Sequence, residues 1–489
     1  MSPSIDSSQN IDILADLFET HFEEKPDSIV SLPISGSDRR YYRLKAGDKA
    51  AIGTFNDNVA ENNSFFYFAE LLRKHGVNVP EIYAIGKERR FYLQQDLGDT
   101  SLFDLLAKEG HTDEVKEYYK KSVEQLVKAQ WMAGRECNFD QCFSSKSFDE
   151  KAIMSDLMYF KYYFADLQKI PYDRNLLMEE MEQLSRELGR IQPQTLMYRD
   201  FQSRNIMIHN GEVYFIDFQG AMQGPPQYDL ASLFWQAKAK LPDNWKEELM
   251  NKYVAAMDEI KIARVEEIHF RKGYLQFVLL RMLQVLGAYG FKGLLEHKPH
   301  FISSISPALA NLQNYLSDNP HVPAYQELRA LLEAVCSDEI QEHYRQPEKS
   351  DSIKLKVQIT SFSYKKNGMP KDESEHGGGY VFDCRGIKNP GRYKPYKHMS
   401  GLDAAIQNFL DRESRMPDFM SHVYGLVSVN VEDYISRDFD YLSINFGCTG
   451  GQHRSVYAAE QLAAYLKGKY NIPITLTHSN KNNWVTEPE

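Results

Sequence analysis

The spacing of apolar residues divides the first 345 residues into a strand-rich part and a helical part. Between residues 28 and 96, short apolar or alternating runs predict strands around one amphipathic helix. Helical periodicity then dominates residues 100–190 and 227–345, with a short β insert between them. The predicted strands are Ser28–Ser35, Tyr41–Leu44, Ala50–Phe55, Ile82–Ile85 and Phe91–Leu93, and the helix is Glu61–His75.

A polar, proline-containing segment at residues 346–353 predicts a linker, because Lys354–Thr360 then alternates like a new strand. We therefore expect two modules and an α+β chain: an N-terminal module with a strand-rich part followed by a helical part, and then a smaller α/β C-terminal domain. The predicted bounds are 1–345 for the N-terminal module (N-lobe about 10–97, C-lobe about 98–345), 346–353 for the linker and 354–489 for the C-terminal domain.

Composition indicates a soluble chain of more than one domain. The 489 residues exceed an ordinary single core, and 42% are hydrophobic and 26% charged. No run approaches a membrane helix, no secretory signal is visible, and the five cysteines lack paired zinc spacing, so we expect a cytoplasmic protein without membrane contact. The net charge is −11, but residues 351–489 carry 17 basic and 16 acidic residues, which leaves the excess of acid in the first part. Charge therefore argues against general nucleic-acid binding by the first part.

The β insert brings three oxygen-bearing side chains together. Asn210-Gly211 lies between two apolar runs, which is the strongest short-range hairpin signal. Folding about that turn places position 205 opposite 216, so Asn205 and Asp217 meet at the open end of the hairpin, and Asp200 lies five residues before Asn205. Carboxylate and amide oxygens suit Mg²⁺ when phosphates supply the remaining ligands. The spacing matches the kinase pattern of a base, an amide metal ligand and a later metal-binding carboxylate, but a solvated surface hairpin is the alternative.

Two upstream segments are candidates for binding a nucleotide. The turn around Ser35, Gly36 and Ser37 could cover phosphates with its N–H groups, and it is followed by Arg39 and Arg40. The segment from Leu93 to Gly98 precedes a helix and could be the hinge that binds adenine.

Several motifs in residues 10–340 together resemble the aminoglycoside/choline kinase superfamily, and most of all the bacterial kinases that phosphorylate N-acetylmuramate and N-acetylglucosamine at the anomeric position during cell-wall recycling. These motifs are Ser37–Arg43, Tyr198–Asn205, Ile216–Ala221, Gly224–Leu230 and Arg281–Tyr289. The resemblance implies a bilobal, protein-kinase-like fold for the N-terminal module, with ATP between the two lobes. It also implies Asp200 as the base, Asn205 and Asp217 as Mg²⁺ ligands, and a small-molecule sugar as acceptor. The implied ATP-binding residues are Ser35, Gly36, Ser37, Arg39, Arg40, Glu61, Gln95 and Leu97.

The sequence departs from that superfamily at two positions. Tyr198 stands where the catalytic loop usually carries His, and we expect it to pack. The third predicted strand, Ala50–Phe55, lacks the usual phosphate-binding Lys, so Glu61 on the following helix is without its usual partner. Arg39 or Arg40 could supply the missing charge, and a pseudokinase is the alternative.

A second constellation lies near the C-terminus. The apolar strand Tyr441–Phe446, a glycine turn and a helix from Gln452 to about Leu466 would form an anion site from backbone N–H groups. Three interpretations compete: a thiolate phosphatase loop with Cys448 and Arg454, a structural turn, and a phosphate-binding loop without chemistry, which we favour. The candidate residues are Asp383, Arg385, Cys448, Thr449, Gly450, Gly451, His453 and Arg454.

Residues 354–480 resemble the C-terminal domain of RapZ, the bacterial RNase adapter. The motifs are Gly447–Val456, Ser361–Tyr364, Phe382–Arg385, Asn389-Pro390 and Ser400–Asp403. The resemblance implies binding of an amino-sugar phosphate and of small regulatory RNA, and self-association. The P-loop motif of that family's own N-terminal domain is absent, which leaves RNA binding open here. The homo-oligomer that the resemblance implies would form through the C-terminal domain. The loop from Lys388 to His398, basic with interleaved tyrosines, is the candidate RNA contact.

The two halves together predict an ATP- and Mg²⁺-dependent amino-sugar kinase fused to a sugar-phosphate-sensing domain. The alternative is a non-catalytic nucleotide-binding regulator or an RNA-binding adapter.

Overall fold

The computed structural model describes residues 7–32, 39–260, 266–345, 354–371, 379–470 and 472–485. It forms two compact units, of which the first comprises Met1–Gly287 with Ala308–Cys336, and the second Ala288–Pro307 with Ser337–Glu489. The predicted linker at 346–353 and the predicted phosphate-turn residues Ser35, Gly36 and Ser37 lie outside the described residues.

The first unit carries an antiparallel sheet and two short β pairs. Its main sheet has the strand order β1-β2-β3-β5-β4, while β6 pairs with β9 and β7 with β8. The strands are β1 (Ser28–Ser31), β2 (Arg40–Ala46), β3 (Lys49–Phe55), β4 (Ile82–Ile85), β5 (Phe91–Gln95), β6 (Thr195–Met197), β7 (Ile206–His209), β8 (Glu212–Phe215) and β9 (Met222–Gly224).

Helices make up most of the rest of the described chain, as the helical periodicity predicts. They are α1 (Ser7–Phe22), α2 (Val59–Lys74), α3 (Leu102–Glu109), α4 (Asp113–Val127), α5 (Gly134–Glu136), α6 (Glu150–Phe160), α7 (Arg174–Gly189), α8 (Gln227–Phe234), α9 (Asp243–Glu259), α10 (Glu267–Tyr289), α11 (Pro299–Asp318), α12 (Gln326–Val335), α13 (Asp338–Tyr344), α14 (Ala404–Glu413), α15 (Met416–Ser436) and α16 (Arg454–Tyr470). Short π-helical turns, Lys128–Ala133, Lys161–Ala165 and Gly290–Leu295, continue α4, α6 and α10.

Both faces of the main sheet are covered. Leu14 and Phe18 of α1 form an apolar cluster with Leu44 and Leu93 on one face. On the other face, α2 contributes to a second cluster that includes Tyr92 and extends to the residues around the short β pairs. Because these apolar residues are removed from water together, the sheet, α2 and the β insert are held as one framework.

The second unit contains a parallel sheet with helices between its strands. Its strands are β10 (Lys356–Ser363), β11 (Gly379–Asp383), β12 (Tyr441–Cys448) and β13 (Ile474–His478), in the order β11-β12-β10-β13. All three pairs are parallel, and α14, α15 and α16 lie in the crossovers along the chain. The predicted α+β class, with a kinase-like first module and an α/β C-terminal domain, is confirmed.

One helical stretch among the described residues, Glu267–Leu295, passes a test for membrane-spanning length and apolarity. Its most apolar window is 56% buried inside the protein. A buried core helix meets the same criteria, so this stretch is weak evidence for a membrane span.

Candidate functional site

The hairpin that carries the candidate chemistry forms as the sequence predicts. His209 faces Glu212, Ile206 faces Phe215, and the N–H of Ile216 donates to the carbonyl of Asn205 at 3.0 Å. The turn residues Asn210 and Gly211 have φ angles of 52° and 77°, the positive values that this turn requires.

The open end of the hairpin gathers the three predicted oxygen-bearing residues. The amide nitrogen of Asn205 donates to the main-chain carbonyl of Asp200 at 2.9 Å and lies 3.4 Å from Asp217 Oδ2. Gln219 Nε2 donates to Asp217 Oδ1 at 2.8 Å, and Asp217 has a φ of 68°. The side chain of Asp217 is thereby fixed next to that of Asn205, as a two-ligand metal site needs.

The two carboxyl groups of this cluster are in different electrostatic environments. Burial would raise the pKa of Asp200, but the charges of Arg281, Arg199 and Arg204 outweigh it and lower the pKa below its ordinary value. Removal of water by the surrounding protein and the charge of Asp200 raise the pKa of Asp217, although its side chain remains accessible to solvent. Asp200 is thus held as a carboxylate by neighbouring cations, and Asp217 is a crowded anion whose charge a cation would relieve.

Arg281 of α10 is the direct partner of Asp200. Its Nη2 donates to Asp200 Oδ1 at 3.0 Å, and its side chain is 5% exposed against 49% for Asp200. Gln284 Oε1 accepts from Arg281 Nη1 at 2.7 Å, and Tyr228 lies beside the guanidinium. The sequence contains Arg281 within a family-like run, but nothing in the spacing indicates a contact with a residue 81 positions away.

A buried carboxyl group anchors the loop that carries Asp200. Asp229 accepts hydrogen bonds from the backbone N–H of Tyr198 at 2.8 Å, from that of Arg199 at 3.0 Å, and from Gln130 Nε2 at 2.7 Å. Burial raises the pKa of Asp229 to about 7. Tyr198 is itself buried and its hydroxyl donates to the carbonyl of Ile216, so this residue packs and links the loop to the hairpin.

The two arginines that follow the predicted phosphate turn have different surroundings. Arg39 Nη2 lies 3.2 Å from Glu61 Oε1, and the Arg39 side chain is 2% exposed. The guanidinium of Arg40 lies instead over the ring of Phe55. Glu61 also accepts from Asn56 Nδ2 at 3.0 Å, so its carboxylate is held at the start of α2.

The predicted hinge, the segment around the end of β5, contacts the hairpin through Leu97 and the residue before β4 through Gln95. A ring nitrogen of His209 lies 3.2 Å from the carbonyl oxygen of Leu97, and Gln95 Oε1 lies 3.4 Å from the backbone nitrogen of Glu81. Arg43 of β2 reaches Asp96 with its Nε at 2.7 Å. This arginine was not among the predicted site residues, and its contact fixes the hinge against the main sheet.

The glycine turn of the second unit is closed by contacts within the loop and from neighbouring segments. Cys448 ends β12, its Sγ accepts from the N–H of Gly451 at 3.1 Å, and it lies 3.1 Å from Ser455 Oγ. The carbonyls of Gly450 and Gly451 accept from Asn480 Nδ2 and Trp484 Nε1 at 2.7 and 2.8 Å.

Residue 447 has no room for a side chain. A Cβ there would clash with the rings of Tyr364 and Phe362. Phosphatase loops of this spacing usually carry His at this place, so the structure gives a steric reason for the glycine. This argues against the thiolate-phosphatase interpretation and is compatible with both a structural turn and a phosphate-binding loop.

The other predicted residues of this site lie next to the loop. Arg454 is 4% exposed and donates from Nη1 to the carbonyls of Arg385 and Ile387 at 2.9 and 2.8 Å, which joins the loop to the end of β11. Its Nη2 reaches Thr449 Oγ1 at 3.4 Å. Asp383 and Arg385 are exposed and pair with each other at 2.6 Å.

His453, another candidate residue of the anion site, is half-buried. Burial lowers its pKa, and its Nε2 lies 2.9 Å from the carbonyl oxygen of Tyr396. Of the two candidate arginines, Arg454 is therefore largely committed to main-chain carbonyls, and Arg385 is exposed but paired with Asp383.

Two segments of the chain match known protein families. Residues 30–262 match the phosphotransferase enzyme family, and residues 355–482 match the RapZ C-terminal domain. The chain is therefore similar to phosphotransferases over the first of these segments and to the RapZ C-terminal domain over the second, as the sequence motifs predict.

The curated relatives align with only part of the chain. A nucleotide-binding protein of Dinoroseobacter shibae is 39% identical over 116 residues, which cover 24% of this chain and 37% of that protein. A nucleotide-binding protein of Glaesserella parasuis is 32% identical over 176 residues, which cover 35% of this chain and 58% of that protein. The chain thus spans between 37% and 58% of the length of these two relatives.

Solved structures with a similar backbone trace include two kinases. A choline kinase of Cryptosporidium parvum has a TM-score of 0.46 at 12% identity and covers 67% of this chain and 99% of its own. An amicoumacin kinase, solved in complex with AMP-PNP, Ca²⁺ and Ami, has a TM-score of 0.44 at 13% identity and covers 58% of this chain and 86% of its own.

Proposed function

We propose that the first unit transfers the γ-phosphate of ATP to a hydroxyl group of an amino sugar. The observation that carries this proposal is the convergence of Asp200, Asn205 and Asp217 at one end of the hairpin. A solvated surface hairpin would not need a buried arginine on one carboxylate and a glutamine on the other. The arrangement instead has the parts that phosphoryl transfer uses: a base, two metal ligands and fixed cations.

The residues present fit a divalent cation of the Mg²⁺ type. Asp217 is an exposed carboxylate whose ionised form is disfavoured by the charge of Asp200. The amide group of Asn205 lies beside it, with Nδ2 3.4 Å from Asp217 Oδ2. Oxygen donors of this kind suit Mg²⁺, which uses few protein ligands when a nucleotide supplies phosphate oxygens. Asn205 and Asp217 would hold the ion, whose chemistry is to neutralise charge on the phosphates.

Asp200 would act as the general base. Its carboxylate accepts the proton of the acceptor hydroxyl as that oxygen attacks phosphorus, and ADP leaves on the opposite side. Arg281 restrains the carboxylate through Oδ1, which leaves Oδ2 to meet the hydroxyl. About half of the Asp200 side chain is accessible, so a substrate can reach it.

The amino-sugar class rests on both halves of the chain. The motifs of the first unit resemble kinases of N-acetylmuramate and N-acetylglucosamine, and the second unit matches a domain whose family handles an amino-sugar phosphate. We propose that the loop after β12, with Arg385 beside it, binds a sugar phosphate without turning it over.

The proposal is tested by ADP release from the full chain with ATP, Mg²⁺ and a panel of N-acetylmuramate, N-acetylglucosamine, glucosamine and an aminoglycoside. ADP release that depends on an amino sugar and is abolished in Asp200→Asn is the expected result. Release with no sugar dependence, or an unchanged rate in Asp200→Asn, would overturn it. Asp104→Asn is a matched control, because Asp104 only caps α3 through Ser101.

Binding by the second unit needs its own test. Calorimetric titration with N-acetylglucosamine 1-phosphate should give a saturable signal that weakens in Arg385→Gln, because Arg385 is the exposed cation next to the loop. No signal in the unaltered chain at millimolar ligand would contradict this part of the proposal.

The rival function is a regulator that binds nucleotide and RNA without catalysis. The observation that favours it is the absence of a lysine in β3 beyond its first residue, Lys49.

The candidate RNA contact of this regulator is the basic loop from Lys388 to His398. There Lys388 already pairs with Glu413 at 3.3 Å, whereas Tyr393 is 43% exposed. Filter binding of structured RNA over a salt series tests whether this loop binds RNA. A steep loss of affinity with rising salt would support contacts to RNA phosphates, and no binding at low salt would exclude RNA binding.

A further inference from the structure

The face of the main sheet that meets α2 lacks the usual cation on β3. Opposite residues of an antiparallel pair share a face, and Tyr41 and Arg43 of β2 face Thr54 and Ile52 of β3. Thr54 and Ile52 are therefore the β3 positions that face α2, and neither carries a charge. A kinase site still needs a cation here to hold phosphates beside the α2 glutamate.

Arg39 brings a guanidinium to this face from the residue before β2. It precedes Tyr41 by two positions, which is the repeat that returns a side chain to the same face. Its Nη2 lies 3.2 Å from Glu61 Oε1, and its guanidinium lies 5.6 Å from the centre of the Phe65 ring on α2. Arg39 thus makes the ion pair with Glu61 that the β3 lysine makes in other kinases.

The Nε–H group of Arg39 is left to bind a further group. Nε of Arg39 is buried and has no hydrogen-bond partner among the described residues, although the whole side chain is only 2% exposed. A buried N–H without a partner costs about 1–3 kcal/mol, so its retention calls for a ligand.

Arg40, the neighbouring arginine, is excluded from this role by the strand register. It faces Phe55, on the opposite face from Tyr41 and Thr54, and its guanidinium lies over the ring of that phenylalanine. The two adjacent arginines therefore have different tasks, and Arg40 offers a matched control.

We propose that Arg39 is the phosphate-binding cation of this kinase site, supplied from the start of β2 in place of the β3 lysine and positioned by Glu61. This inference rests on the proposed kinase function. Arginine suits the place because its planar fork can pair with a carboxylate while other N–H groups contact phosphate oxygens, which a single ammonium group does less well.

The test compares Arg39→Met with Arg40→Met in the full chain. Calorimetric binding of AMP-PNP with Mg²⁺ is measured alongside kcat and KM for ATP. We expect Arg39→Met to lower kcat/KM for ATP by about 10²-fold and to weaken AMP-PNP binding, because a preorganised charged donor is lost. Arg40→Met should have a clearly smaller effect on both readouts, because the Arg40 guanidinium lies over Phe55 on the opposite face of the sheet. Equal effects of the two substitutions, or no effect of Arg39→Met on either readout, would overturn the inference.

Two further variants keep the test decisive. Arg39→Met/Thr54→Lys places an ammonium group on the β3 position of the same face and should recover at least part of the lost kcat/KM; no recovery in a folded double variant counts against the proposal. If Arg39→Met does not fold, Arg39→Lys takes its place. We expect Arg39→Lys to lower kcat/KM for ATP by at least about tenfold, because lysine lacks the planar guanidinium group. An unchanged kcat/KM would contradict the proposal. If the unaltered chain binds AMP-PNP but phosphorylates no sugar, the kinase proposal fails while the binding comparison still tests Arg39.

Discussion

Replacement of Arg281 by methionine should slow phosphoryl transfer without weakening ATP binding. Arg281 touches Asp200 through a contact of 3.0 Å and is itself held by Gln284. Methionine fills a similar volume but makes neither contact, so the Asp200 carboxylate would lose the group that fixes its orientation. Asp200 is half exposed, so water can solvate it after the change and the fold should survive.

The size of the effect follows from the contact. A hydrogen bond to a charged group contributes about 1.5–3 kcal/mol, and the exposure of Asp200 reduces this to about 1–2 kcal/mol. If that restraint is needed in the transition state, kcat should fall by about 5- to 30-fold, since about 1.4 kcal/mol corresponds to tenfold in rate. KM for ATP should stay within about twofold, because the lost contact is to the base and makes no difference to ground-state nucleotide binding.

Initial rates at saturating ATP and acceptor measure this effect, with the urea unfolding midpoint as a check on folding. Arg271→Met is the matched control: it lies on the same helix, and its ion pairs join Glu247 and Glu267 on the surface. Unchanged kcat in folded Arg281→Met, or an equal fall in Arg271→Met, would refute the role of Arg281 as the residue that positions Asp200.

Three other substitutions test the framework around the two sites. Asp229→Asn should lower the free energy of unfolding by about 1–3 kcal/mol in urea, because an amide NH2 in place of one carboxyl oxygen cannot accept from the buried N–H groups; a change below about 1 kcal/mol, the size of an ordinary surface effect, would contradict it. Tyr198→Phe should cost about 1 kcal/mol of unfolding free energy through loss of the bond to Ile216, while kcat stays within about threefold, since the ring still packs. Gly447→Ala should destabilise the second unit by about 1–3 kcal/mol in thermal unfolding, because its methyl group would overlap two rings. Gly450→Ala, where a Cβ would meet nothing within 4 Å, is the control and should leave the midpoint unchanged.

The parts of the structure that depend on short-range geometry could be predicted from the sequence. Asn210-Gly211 fixes the turn, the turn fixes the register, and the register brings Asn205 to Asp217. The glycine turn after β12 was predicted in the same way, although α16 begins at Arg454, two residues later than expected.

Contacts between distant segments could not be predicted. No spacing rule connects Arg281 with Asp200, and the choice between Arg39 and Arg40 depends on the register of β2 against β3. The exclusion of a side chain at residue 447 depends on where the ring of Tyr364 lies after folding. These contacts are set by tertiary packing between segments far apart in the sequence, so the local pattern of residues does not predict them.

The central claim is that the acidic site at the end of the hairpin moves phosphate from ATP onto a sugar. The most direct measurement is ³¹P NMR of the reaction of the full chain with ATP, Mg²⁺ and N-acetylmuramate or N-acetylglucosamine, repeated with Asp217→Ala. A sugar-phosphate resonance that grows with ADP and is missing for Asp217→Ala is the predicted result. ATP consumed only to inorganic phosphate, or the same sugar phosphate formed by Asp217→Ala, would contradict the account.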